Sequence, residues 1–214
     1  MALNNYNDLK NAVLNWMART NDAETIAALS DLIHIAETRI YYGAGEAPLF
    51  SPPFRCRYNE KLADIAINAQ SVTLPEDYLA LRRFYQDSSP YDLQYLQVDD
   101  FWNKAASPRT GTPRYYTIEG ENISFYPAPD KTYNGKLNYY SMPSRLSDTN
   151  ITNPIFMRFP NLYLYAALLE AAIYVDDSNA VQNWHGLYLG AITGIQRQDE
   201  RDRFGASPLI MRRA

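Results

Sequence analysis

The stretch Gly-Thr-Pro-Arg-Tyr-Tyr-Thr-Ile-Glu-Gly-Glu-Asn-Ile-Ser-Phe-Tyr-Pro-Ala-Pro-Asp at residues 111–130 decides the fold. Two runs of β-branched and aromatic residues, 114–118 and 122–126, flank Glu119-Gly120, and glycine tolerates the positive φ that a tight hairpin demands. Pro113 and Pro127 bracket the pair, because a residue with no amide donor belongs outside the ladder. Outward from this hairpin the texture continues. Residues 62–68, 71–74, 79–85, 91–96 and 136–141 are short runs of the same kind, separated by Pro, Gly, Asn or Asp. One helical turn, 98–104, interrupts them. Residues 61–145 are expected to form an antiparallel β module.

On either side the period changes. Tyr6, Leu9, Val13 and Trp16, with Ala12 and Met17, recur at helical spacing and predict a first helix ending near Arg19. Thr20-Asn21-Asp22 supplies a cap for a second helix, in which Ile26, Leu29, Ile33, Ala36 and Ile40 run to about Tyr42. The short link makes the two antiparallel neighbours. Residues 43–58 hold Pro48, Pro52 and Pro53 and read as an irregular connection, over the surface or towards a neighbouring subunit.

After the module, Asn153-Pro154 is a cap with proline at the first helical position, and Phe159-Pro160 restarts the helix. Leu162, Tyr165, Leu169 and Ala172 form one face of a helix ending near Val175. Asp176-Asp177-Ser178 caps the last helix, with Trp184, Tyr188, Ala191 and Ile195 as its apolar stripe. Continuous from 178 to 204, it would be about 40 Å long. Gly205 stops it, Pro208 keeps the following chain extended, and Leu209, Ile210 and Met211 place apolar residues where a tail is usually polar. The expected class is α+β: a helical bundle from 1–60 and 146–204, an inserted antiparallel β module at 61–145, and an extended tail at 205–214.

Composition bounds the function. With 46% apolar and 21% charged residues the chain is globular, and 18 Tyr against 9 Gly skews it towards aromatic-rich interfaces. A net charge of −4 argues against a nucleic-acid footprint, which needs Lys and Arg gathered on one face. Cys56 is the only cysteine, so no intrachain disulfide forms, and a packed thiol is favoured over a nucleophile. No apolar run is long enough to span a membrane, and residues 1–10 carry no basic-then-apolar signal.

Catalytic signatures are missing. His34 and His185 lie in separate helices without partners at metal-ligand spacing, no Gly-x-Ser-x-Gly turn occurs, and Gly43-Ala44-Gly45 follows a helix without the rest of a phosphate loop. Asp99-Asp100 and Asp176-Asp177 sit at helix starts, where capping explains them better than acid/base work. Glu170 lies in an apolar helix and needs an Arg partner or a subunit contact. The pairs Tyr115-Tyr116 and Tyr139-Tyr140, with Phe125 and Tyr126, suit base or sugar stacking, yet strand alternation sends one of each pair into the core. No enzyme, cofactor or metal site is expected.

In order along the chain, the helical pair, Leu74-Pro-Glu-Asp-Tyr78, the 111–130 hairpin, Tyr139-Tyr140, Leu146-Ser-Asp148, two helices and a short tail resemble the head-to-tail adaptor (connector) proteins of tailed bacteriophages. That group includes the tail-tubular-A and gatekeeper-type adaptors; residues 49–58 are less typical of it. The resemblance implies a structural virion protein of the neck between capsid and tail, assembled in the host cytoplasm. It implies a homo-oligomeric ring, a dodecamer in the virion, bound to the portal protein above and a tail or nozzle protein below. DNA would pass through its channel without specific binding. The tail residues Pro208, Leu209, Ile210, Met211, Arg212 and Arg213 would dock on the portal, and Arg197, Arg201 and Arg203 on the last helix are the expected subunit-interface residues. The competing expectation is a tail-associated glycan- or ligand-binding module, also non-enzymatic.

Overall fold

The computed structural model describes residues 3–45, 47–87 and 93–204. In chain order the elements are α1 (Tyr6–Trp16), α2 (Ala23–Tyr42), a 3-10 turn (Arg57–Asn59), β1 (Glu60–Ile67), β2 (Ser71–Thr73) and β3 (Tyr78–Gln86). There follow β4 (Gln94–Tyr95), α3 (Val98–Ala105), β5 (Tyr115–Glu119), β6 (Asn122–Tyr126) and β7 (Tyr133–Ser141). The chain closes with α4 (Pro154–Arg158), α5 (Pro160–Tyr174) and α6 (Ser178–Phe204). The class is α+β, and the chain divides into two compact units, Met1–Asn59 with Pro143–Ala214, and Glu60–Met142.

The helical unit is built around α5. The sequence predicts one apolar face for this helix, but Leu162, Tyr163, Leu164, Ala166, Ala167, Leu168 and Leu169 are all buried, so it is enclosed on nearly every side. α2 and α6 both pack along it, and α1 lies more against α5 than against α2. Enclosure forces the polar groups of α5 to find partners. Glu170 pairs with Arg39 of α2, which resolves the cost of its burial, and the Tyr163 and Tyr41 hydroxyls share a hydrogen bond of 2.6 Å.

Local chemistry sets the helix ends. The Asp22 side chain accepts from the Glu24 and Thr25 amides, and the hydrogen bond from Arg19 holds its carboxyl down to about 2. α1 stops at Trp16 because Ala18 turns to φ 53 and the Arg19 amide donates back to Leu14 O at 2.9 Å. Asn153 Oδ1 accepts from the Phe156 amide at 2.8 Å, with Pro154 following as expected. The segment after α2 is not the surface excursion that its prolines suggested. Phe54 and Cys56 are fully buried, Gly43 sits at φ 77, and a Cβ there would meet Ser51 O at 2.7 Å.

The second unit stacks two sheets, ordered β1-β7-β3 and β2-β6-β5-β4. The 111–130 hairpin forms β5 and β6 with Gly120 at φ 59, and its pairing is antiparallel from Tyr115↔Tyr126 to Glu119↔Asn122. Ladders within both sheets are antiparallel except β4 with β5, a two-residue parallel edge. Ile65, Ile67 and Leu137 face Ile123 and Phe125 across the core, and Phe84 packs on Tyr116 and Phe125 with ring centroids 5.5 and 5.7 Å apart. Gly135 lies under Phe84, where a Cβ would come within 2.7 Å of the ring.

The chain re-enters the helical unit over Glu37 of α2, a residue only 1% exposed. Its Oε1 accepts from the Leu146 amide at 3.0 Å, while Oε2 is buried without a hydrogen-bond partner. Burial pushes this carboxyl up to about 7, against smaller opposing effects of that hydrogen bond and of Arg145. The folded state therefore holds a proton that the unfolded chain, at 4.5, releases earlier. Stability from this group is complete below pH 4.5 and is lost as pH rises through 7. We expect Glu37→Gln to remove a loss on the order of 3 kcal/mol across that window. Urea unfolding at pH 5 and pH 8 checks this, and an unchanged pH dependence in the variant would refute it.

Candidate functional site

The residues with chemical potential are scattered among structural duties. His34 is exposed on α2, and His185 on α6 lies 2.9 Å from Phe50 O. Burial pushes the Cys56 thiol up to about 11, the opposite of an activated thiolate. Among the described residues no three His, Cys, Asp or Glu side chains gather as metal ligands. Asp177 caps α6 by accepting from the Ala180 amide at 3.0 Å. Asp99 and Asp100 lie in the first turn of α3 without capping it by a side-chain hydrogen bond, which corrects the expected cap to a helix-dipole contribution.

The aromatic pairs also resolve. Tyr116 and Tyr139 are buried, while Tyr115 and Tyr140 are only partly so, as strand alternation requires. Phe125 and Tyr126 are both buried because β6 is covered on both faces, so they present no stacking platform. A hollow of about 290 Å³ beside Gln70, Arg109, Thr110 and Tyr126 has no His, Cys, Asp, Glu or Lys in its lining to serve as a general base for either hydroxyl.

The helical unit carries a more developed surface. α6 is 27 residues long, about 40 Å, and buries Tyr188, Ile192 and Asp199 towards the core. That core line differs from the expected one: Trp184, Ala191 and Ile195 sit at its margin, half-buried. Beside them runs a groove of two adjoining hollows, about 340 and 360 Å³, which share Arg158, Phe159, Gly194 and Ile195. Phe159 is fixed edge-on between Phe54 and Tyr58, at 5.9 and 5.7 Å. Arg158 lies 3.7 Å from the Tyr58 ring centre and donates to its hydroxyl at 2.8 Å. At one end Arg57 pairs with Asp202 at 2.5 Å and with Asp199 at 3.4 Å. Towards the N-terminal end of α6, half-exposed Trp16 packs on Trp184 at 5.8 Å and Tyr165 at 6.5 Å.

Gly186, Gly190 and Gly194 recur every fourth residue on this side of α6, and a Cβ added at any of them meets nothing within 4 Å. Glycine inside a helix is about 0.8–1 kcal/mol worse than alanine, so the stripe weakens the helix with no packing return inside the subunit.

A family described as SU10 adaptor protein matches residues 4–212, nearly the whole chain. The chain belongs to that family. No match was found among curated proteins. The chain is thus a structural adaptor protein of bacteriophage, the class that the order of motifs implied. No helix among its described residues is long and apolar enough to cross a membrane.

The expected interface residues separate in the structure. Arg197 and Arg201 are exposed, close to the glycine stripe, whereas Arg203 turns inward and donates to Asp199 at 2.8 Å. Pro208, Leu209, Ile210, Met211, Arg212 and Arg213 lie outside the described residues. Sequence reasoning missed the glycine stripe, although its four-residue spacing was visible; the openness of the space above it was not. Gly186→Ala, Gly190→Ala and Gly194→Ala are each expected to stabilise the isolated subunit by about 0.5–1 kcal/mol. Urea denaturation of the monomer measures this, and destabilisation by any of the three would mean that the stripe is already packed.

Proposed function

We propose that this member of the SU10 adaptor family forms a homo-oligomeric ring, a dodecamer in the virion, that joins the portal to the tail and continues the DNA channel. Family membership across residues 4–212 carries this reading. The resemblance to gatekeeper-type adaptors supplies its finer form, in which one side of the ring meets the portal and the other a tail or nozzle protein. A net charge of −4 suits a channel that lets DNA pass without gripping its phosphates. Long helical faces suit a closed ring, in which each subunit offers two different patches. The buried positions of Tyr116, Phe125, Tyr126 and Tyr139 weaken the rival idea of a glycan-binding sheet.

The tail is the proposed portal contact. Ten residues from Gly205 reach at most ~33–36 Å when extended. Leu209, Ile210 and Met211 would fill apolar clefts, while Arg212 and Arg213 meet acidic groups. Mixing the protein with its cognate portal and imaging the product tests the reading, with a stacked ring as the expected result. Deletion of residues 207–214 is expected to leave folding and solubility intact and to abolish or greatly weaken portal attachment. Docking by the truncated protein as tight as by the full chain would remove the tail from this role.

A further inference from the structure

We infer that the groove on α6 receives the exposed ridge of α2 from a second copy of this chain. The inference rests on the ring proposed above and names the two surfaces that would close it. Both helices pack on α5 along their buried faces, so their outer faces point away from it in different directions. That is the arrangement a head-to-tail contact needs, since one patch must meet a different patch on the next copy.

Shape and charge favour this occupant. The outer face of α2 bears Ile35 and Tyr42, exposed to 51 and 60%, large apolar side chains with no cover in the subunit. The groove is the complementary form, low where Gly190 and Gly194 leave open space and walled by Phe159 and Ile195. Around it Arg158, Arg197 and Arg201 have no carboxylate partner among the described residues. The ridge carries Glu24 and Asp31, which likewise have no cationic partner there. Spacing makes the match specific. With the helices antiparallel and Ile35 over Gly190, Glu24 falls opposite Arg201 and Asp31 within one turn of Arg197.

Paired cysteines test this contact. Ile35→Cys with Gly190→Cys, oxidised on portal-bound particles, should give a ladder of cross-linked multimers, whereas either single variant gives none. Cys56 is buried and stays silent. Gly194→Leu, placed in open space, should leave the monomer folded and weaken assembly by about tenfold or more. Charge reversal supplies a second readout: Glu24→Arg with Asp31→Arg should weaken assembly, and adding Arg197→Glu with Arg201→Glu should restore it. Rings of wild type that form while the cysteine pair stays monomeric would overturn the contact and leave the ring standing. A cross-link from Gly190→Cys to a portal subunit, or an unimpaired Gly194→Leu ring, would also overturn it. Failure of the wild type to assemble on the portal would instead remove the ring and, with it, this contact.

Discussion

An apolar helix that must be enclosed on nearly every side governs the helical unit. α5 buries Leu162, Tyr163, Leu164, Leu168 and Leu169 around its whole circumference, and no single partner can cover such a surface. α1, α2 and α6 are therefore gathered about it from both ends of the sequence. The same enclosure makes Glu170 dependent on Arg39 and the Tyr163 hydroxyl dependent on Tyr41 and Asn153. Removing Arg39 alone would leave a buried carboxylate uncompensated, which is more harmful than the pair is favourable.

The β unit solves its burial problem locally. β5 and β6 are joined by the tight turn at Gly120, and the core residues of one sheet meet those of the other through Phe84, Tyr116 and Phe125. Its outer charges are paired over short range, as in Lys61 with Asp77 and Lys136 with Asp64. The carboxyl of Asp77, which burial by itself would raise, is held below its ordinary value by hydrogen bonds from Lys61 and Tyr139. Such exposed pairs contribute little stability, so the stacked aromatic and aliphatic layer holds this unit together.

In α6, helix propensity and surface shape pull apart. Three glycines lower helix propensity where an added Cβ would meet nothing within 4 Å, while on the same helix Tyr188 and Ile192 are buried against the core. A structural adaptor must be stable enough to fold alone and still keep surface available for its partners. Glycine on an outer helical face serves the second need at the expense of the first, because it permits close approach of another backbone.

The sequence alone determined what depends on neighbouring residues. The hairpin at Gly120, the caps at Asp22 and Asn153, the helical spans and the need of Glu170 for a cation were legible because turn chemistry, capping and periodicity act over a few residues. The order of those elements was enough to indicate the adaptor class. Only the tertiary structure decided which second face of each element is covered. It buried Phe54 and Cys56 in a proline-rich connection, enclosed α5 all round, covered Phe125 and Tyr126 together, and raised Glu37 by sealing it under the returning chain. It also left the glycine stripe of α6 open, with Arg197 and Arg201 beside it. Burial on that second side comes from segments far away in the chain, and no local pattern encodes their arrival.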